Sequence, residues 1–294
     1  MEKKFALCLA IVLGSLGAVL AQSDYVEAIE KSRSERETNL KKENGWLTLA
    51  GLFWLKDGVN TVGTGAKFDV RLTDNFQGAF GEIDFKNGVA TLKVASGVEA
   101  TSDGKPVSTL DLVSDEKGNP TEIRVGSQMF YLIQREDRFG IRLKDSQSKA
   151  RLAFKGLNWF PVDESYRVPA QLETYPEPKE VMVPNVLGGH FKMKSPGRLR
   201  FALQGQEYSL QPVLNDDGSL FIIFRDASNL SETYEAGRFL DADKPVDGKT
   251  TLDFNQAENP PCAFSRYATC PLPPKGNDLS VAIKAGEKRY EHED

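Results

Sequence analysis

Gly81-Glu82-Ile83-Asp84-Phe85-Lys86-Asn87-Gly88-Val89-Ala90-Thr91-Leu92-Lys93-Val94 decides how the chain is read. Ile83 and Phe85 alternate with charged residues, and Ala90, Leu92 and Val94 alternate with Thr91 and Lys93. Alternation of this kind gives a strand one dry and one wet face. Between the runs, Asn87-Gly88 tolerates positive φ at both central positions of a two-residue turn. The stretch therefore predicts an antiparallel hairpin.

The same texture extends outward. Segments 59–62, 67–72, 121–125, 129–134, 138–143 and 150–154 read as strands, as do 198–203, 207–214, 219–224 and 250–254. Gly118-Asn119-Pro120 and Asn215-Asp216-Asp217-Gly218 supply turns. Residues 156–186 carry several prolines and read as a crossover with extended pieces at 167–173 and 180–183. Trp46 to Leu55 is apolar and reads as core, with a bend at Ala50-Gly51. Helices do not alternate with strands, which excludes a parallel α/β sheet. The expected fold is mainly β: antiparallel barrel- or sandwich-like sheets, with an N-terminal helix and a Pro-rich C-terminal segment. The β-rich domain is expected over 46–294, as one unit or as halves at 46–155 and 187–290.

Residues 1–21 read as a signal peptide, with basic Lys3 and Lys4, an apolar run from Phe5 to Leu20 and small residues before Gln22. The run, about 16 residues, is shorter than the roughly 20 that span a bilayer. Export to the periplasm or outside the cell is the expectation, with no stable membrane span after signal removal. Residues 22–45 are highly charged, with sparse apolar positions at Tyr25, Val26, Ile29 and Leu40. They predict a helix that packs by one edge and stops at Asn44-Gly45.

The 294 residues carry a formal net charge of −5, which argues against nucleic acid or an anionic membrane as partner. Only 2 His and 3 Cys are present, so a three-His zinc site cannot be built, and neither a metal nor a cofactor is expected. His190, in Gly188-Gly189-His190-Phe191, reads as a turn residue, and no Gly-x-Ser-x-Gly elbow accompanies it; His292 reads as solvated. Asp241, Asp243 and Asp247, like Asp216 and Asp217, lack the Gly and Glu spacing of an EF-hand loop and read as solvated turns.

Functional residue types concentrate in the C-terminal third. They run from Phe224-Arg225-Asp226 through Thr233-Tyr234, Arg238-Phe239-Leu240 and Leu252-Asp253-Phe254-Asn255 to Asn259-Pro260-Pro261-Cys262-Ala263-Phe264. Tyr267-Ala268-Thr269-Cys270-Pro271-Leu272-Pro273-Pro274 and Ala285-Gly286-Glu287-Lys288 close the series. With Gly45 to Leu55 and Ser195-Pro196-Gly197, these stretches resemble a bacterial and archaeal family called domain of unknown function 1684. The resemblance runs from about Trp46 to Tyr290 and implies no defined activity. Glu258 stands where that family often carries Tyr.

Cys262 and Cys270 are an even pair once residues 1–21 are set aside, and a structural disulfide across the Pro-stiffened loop is expected. Free structural cysteines are one alternative. A redox pair or thiolate nucleophile is another, although the spacing is not Cys-x-x-Cys and no His lies close in sequence. Asp226 follows the strand ending at Phe224 and Asn255 ends the strand at 250–254, and residues at strand ends can converge where ligands enter; Tyr234, Arg238 and Asp253 join them. They are the expected small-molecule-binding set. Asp226, Asp253 and Glu287 are the catalytic candidates if the protein is a carboxylate-based hydrolase of a glycan or other envelope substrate. The competing reading is a buried Asp–Arg–Tyr network that pins the Pro-rich tail to the sheet, as in a structural or partner-binding envelope module.

Overall fold

A computed structural model describes residues 23–291, and the expected signal peptide and His292 lie outside them. The first element is α1, helical over residues 23–40. Its inward face repeats every three or four residues: Tyr25, Ile29, Arg33, Arg36 and Leu40, with Ile29, Arg33 and Leu40 buried.

The N-terminal half holds β1 (Leu49–Trp54), β2 (Gly58–Thr64), β3 (Val70–Leu72), β4 (Ala79–Lys86), β5 (Val89–Val94) and β6 (Thr101–Ser102). It continues with β7 (Lys105–Pro106), β8 (Thr109–Leu112), β9 (Ile123–Val125), β10 (Gln128–Arg135) and β11 (Arg138–Asp145). Two open sheets result, β1-β11-β10-β9-β6-β7 and β3-β2-β4-β5-β8, sharing a core of Phe80, Ile83, Leu92, Phe130 and Leu132. Burying such side chains is worth roughly 1.5–3 kcal/mol each. The hairpin forms as its sequence predicts: Asn87 and Gly88 have φ of 51° and 78° between β4 and β5. Residues 46–48 form a 3-10 turn, and β1 shifts register between Leu49 and Gly51, at the expected bend. β2 and β3 pair in parallel, an exception to the antiparallel pattern.

Residues 150–154 do not form the expected strand. Lys149–Ala153 is a short helix, α2, because the Ser148 hydroxyl accepts from Arg151 N–H and starts a turn.

The C-terminal half holds β12 (Arg167–Pro184), β13 (His190–Leu203), β14 (Gln206–Leu210), β15 (Val213–Leu214), β16 (Leu220–Phe224), β17 (Arg238–Ala242) and β18 (Lys249–Asp253). They make the sheets β14-β13-β12-β18 and β15-β16-β17, with Leu199, Phe201, Leu220, Phe224 and Phe254 in the core. The expected crossover at 156–186 is in large part the first arm of a long β12–β13 hairpin. Its prolines are accommodated by an irregularity between Thr174 and Lys179, opposite Ser195-Pro196-Gly197, where ladder hydrogen bonds are interrupted. Among the described residues no sheet closes on itself, so the architecture is sandwich-like and not a barrel.

Residues 254–291 contain no strand and are held piecewise. Asn277, fully buried, accepts from Gln211 N–H (2.7 Å) and donates to the carbonyls of Ile223 (2.8 Å) and Gln211 (3.0 Å). Leu272 N–H donates to Pro184 O, and Val186 N–H to Cys270 O, which docks the Pro-rich segment on the β12–β13 hairpin.

Candidate functional site

The five residues expected to bind a ligand fall into three places. Asp226 and Arg238 form the first. β16 ends at Phe224, whose register partner in β17 is Arg238, and the intervening 3-10 turn begins at Asp226. The Arg238 guanidinium donates to Asp226 Oδ2 at 2.8 Å, and both side chains are 0% exposed. Arg238 also donates to the carbonyls of Ile283 and Ala285, while Asp226 Oδ1 accepts from the N–H groups of Ser228 (2.8 Å) and Ile283 (3.0 Å). This pair clamps the C-terminal segment against β16–β17 and leaves neither side chain a free face.

Glu287 lies in a second internal cluster. Its side chain is 0% exposed and accepts from Arg36 Nε at 2.8 Å and from Asn259 N–H at 2.8 Å. Arg36 reaches Glu258 at 3.1 Å, so one guanidinium serves two carboxylates. Burial pushes the Glu287 carboxyl above its usual range. Burial, only partly opposed by Arg36, pushes Glu258 up to about 7.

Asp253 and Asn255 form the second place; Asn255 is fully buried, and Asp253, though buried, lies on the wall of a cleft. Asp253 ends β18 and starts the 3-10 turn Phe254–Gln256 by accepting from Asn255 N–H at 3.1 Å. Both its carboxylate oxygens lie 2.9 Å from the Tyr25 hydroxyl of α1. Asn255 donates to the same hydroxyl (3.0 Å) and holds Asp163 through its backbone N–H and C=O. Burial and the hydrogen bond to Asp253 together raise the Tyr25 hydroxyl pKa. Tyr25 and Asp253 line a cleft of about 500 Å³ between α1 and strands β17–β18, with Arg167, Asp241, Asp243 and Thr251 also on its walls. The Arg167 guanidinium sits 5.2 Å from the Tyr25 ring centre. Desolvation by the cleft walls, with Asp217 nearby, raises the Asp241 carboxyl.

Tyr234 occupies the third place. Its hydroxyl donates to Cys262 O at 3.2 Å, beside a separate cavity. Cys262 and Cys270 are free thiols, so the disulfide expected between them is not formed here. The two residues are nevertheless neighbours, since Cys262 N–H donates to Cys270 Sγ at 3.0 Å. His190 is exposed on the wall of a further cavity of about 520 Å³, with Asp115, Arg135 and Phe191. Among the described residues no group of three His, Cys, Asp or Glu could hold a metal ion.

Tyr25, Arg36, Arg167 and Asp241 are the site residues that sequence reasoning passed over as such. One signal could have found one of them: the apolar stripe of α1 is thin, and Arg36, with Arg33, fills the inward positions that it leaves.

The family described as "Protein of unknown function (DUF1684)" matches residues 152–288. The chain belongs to that family. The match begins after β11, so Gly45–Leu55 lies outside it, and the resemblance covers less of the chain than expected. Among solved structures, an uncharacterized protein of Haloarcula marismortui (gene locus rrnAC0354) is 32% identical; the alignment covers 48% of this chain and 80% of that one, with a TM-score of 0.40. An FHA domain from a study of phosphothreonine-dependent interactions is 21% identical over 32% of this chain and 92% of that one, with a TM-score of 0.23. The FhaA FHA domain in complex with the intracellular domain of Rv3910 is 21% identical over 32% of this chain and 97% of that one, again at 0.23. No curated protein matches.

Proposed function

We propose that this DUF1684 protein binds a small polar molecule in the cleft between α1 and strands β17–β18. The observation that carries the reading is Asp253: its carboxylate is oriented by Tyr25 and by Asn255 N–H, and the residue, though buried, lines a cleft of about 500 Å³. Four carboxylates, Asp217, Asp241, Asp243 and Asp253, line that space against one guanidinium, Arg167. Such walls suit a ligand rich in hydroxyl or ammonium donors and disfavour an anion. The N-terminal basic, apolar and small-residue pattern supports an exported protein that meets this ligand outside the cytoplasm.

The test is a thermal-shift screen of wild type and Asp241→Asn against sugars, polyols, amines and amino acids. A ligand at 100 times its Kd should add about 2.7 kcal/mol to stability. Stabilisation of wild type by one such class, reduced in Asp241→Asn, is expected. Absence of stabilisation by every class refutes the reading.

A hydrolytic reading has one specific support. Asp241 and Asp253 share the cleft but differ in environment: the first is raised by desolvation and the second is held as a hydrogen-bond acceptor. Two carboxyl groups in one cleft can act as acid and base on a glycosidic bond. Release of reducing ends from a glycan by wild type, abolished in Asp241→Asn, would establish it.

A further inference from the structure

We propose that Cys262 and Cys270 are a reactive dithiol, in which Cys262 exchanges with a small carboxylate-bearing disulfide and Cys270 resolves the mixed disulfide. The site is a cavity of about 610 Å³, distinct from the α1 cleft, whose lining includes Val186, Tyr234, Glu235, Cys262, Arg266 and Arg289.

The two sulfurs are unequal in access. Cys262 is partly exposed in the cavity, whereas Cys270 is 4% exposed and packed with Leu49, Val183 and Ile223. That asymmetry divides the roles: an outside disulfide reaches the Cys262 sulfur, and the Cys270 sulfur reaches only Cys262. Cys262 N–H donates to Cys270 Sγ at 3.0 Å, which sets the Cys270 thiol against Cys262. The adjoining Cys270 thiol favours the Cys262 thiolate, against burial and the nearby Glu235 carboxylate, and the adjoining Cys262 together with burial raises Cys270. The thiolate is the nucleophile in exchange.

A second observation points to the same place. Arg142, on β11, is only 3% exposed and is partnered by a hydroxyl, not a carboxylate. It donates to Thr269 Oγ1 at 2.8 Å, and its Nε has no hydrogen-bond partner. A buried guanidinium without a matching anion is costly. Its charge acts on Cys270, one residue from Thr269, and favours the thiolate there. Arg142 would be matched whenever Cys270 gives up its proton for the resolving step. At the cavity rim, Arg266 and Arg289 outnumber Glu235, which selects a disulfide carrying carboxylates.

The chemistry balances. The Cys262 thiolate attacks one sulfur of RS–SR, forming Cys262–S–S–R and releasing RS⁻. Cys270 loses its proton to solvent and attacks the Cys262 sulfur; the bond to R breaks and a second RS⁻ leaves. The dithiol loses two electrons and two protons, and the external disulfide is reduced to two thiols.

The experiment exposes the reduced full chain to oxidised glutathione at neutral pH and reads each cysteine by peptide mass spectrometry. Wild type should acquire a Cys262–Cys270 disulfide. Cys270→Ser should stop at a stable glutathione adduct on Cys262, and Cys262→Ser should leave Cys270 unmodified. Iodoacetamide labelling of the unaltered chain gives a measure that needs no variant, and it should modify Cys262 well before Cys270. The neutral 2-hydroxyethyl disulfide should react severalfold more slowly than oxidised glutathione, and Arg266→Gln should narrow that gap. Modification of Cys270 as fast as Cys262 overturns the assignment of roles. An inert pair in native protein that reacts once unfolded overturns the proposal, and equal rates for the two disulfides overturn the selection for carboxylates.

Discussion

Replacing Asp226 by Asn removes one charge from a pair that has no access to water. Arg238 would keep its bonds to Ile283 O and Ala285 O, but its positive charge would be left without a counterion at 0% exposure. The new amide can still accept from Ser228 N–H and Ile283 N–H through its oxygen. Its NH₂ then faces the Arg238 guanidinium, placing donor against donor. Breaking a buried pair from one side costs about 3–5 kcal/mol, a large share of the roughly 5–15 kcal/mol by which a folded protein is stable. At about 2–4 °C per kcal/mol for a chain of this size class, the melting temperature should fall by about 10 °C.

Urea unfolding of wild type, Asp226→Asn, Arg238→Met and the double variant measures this directly. Asp226 and Arg238 touch, so the double variant should cost less than the two single losses added, with a coupling of about 2 kcal/mol. Amide exchange should accelerate at Ile283 in Asp226→Asn before it does in the β4–β5 hairpin, because Ile283 N–H donates to the altered group. A loss below about 1 kcal/mol, or strictly additive single losses, would refute the clamp and return Asp226 to the list of groups free to meet a ligand.

Glu258 predicts a pH dependence. Its folded pKa, about 7, lies above the ordinary 4.5, so the folded state holds the extra proton between those values and stability falls as pH rises from 4.5 through 7. Full conversion of that shift would be about 3 kcal/mol, but the side chain is 36% exposed, and solvent reduces this to about 1 kcal/mol. Glu258→Gln should therefore match wild type near pH 4 and exceed it at pH 8 in denaturant midpoint; a constant difference at both pH values contradicts the argument. Tyr25→Phe strips Asp253 of its hydroxyl donor at 2.9 Å and should cost about 1–2 kcal/mol, with α1 amides exchanging faster; unchanged protection of α1 would show that the contact does not hold the helix. Gly197→Ala should cost about 1–3 kcal/mol or force the hairpin apart, since a Cβ there would lie 2.1 Å from Glu173 O; a variant of wild-type melting temperature would disprove that close approach.

Which features the sequence revealed follows from how far apart their determinants lie. The β4–β5 turn is set by adjacent residues, and Val89–Val94 has the boundaries its alternation implies. The bend at Ala50-Gly51 is likewise local and appears as a register shift. β17 escaped because Arg238 and Asp241 break the apolar alternation; Arg238 is inward only because Asp226 and three C-terminal carbonyls receive it. The 150–154 error has the same origin in reverse: one serine hydroxyl outweighed a weak strand pattern.

The candidate cleft lies at the far end of that scale. Asp253 was legible as a polar strand end, but its orientation comes from Tyr25, 228 residues away. Glu287 was legible as a carboxylate near the C-terminus, but its partner Arg36 is 251 residues away and turns it from a catalytic candidate into an internal ion pair. Both partners lie on α1, which contributes no strand and few apolar residues. A helix so poor in hydrophobic contacts stays attached through polar bonds to Asp253, Asn255, Glu258 and Glu287. Polar attachment is weaker per contact than apolar burial and depends on charge state. The wall of the cleft formed by α1 is thus its least stably held part, and a ligand that bridges Tyr25 and Asp241 would stabilise α1 more than either β core. Hydrogen exchange with and without ligand tests this: protection confined to residues 23–40 and β17 is expected, and uniform protection across the chain would show that the cleft is not where the ligand binds.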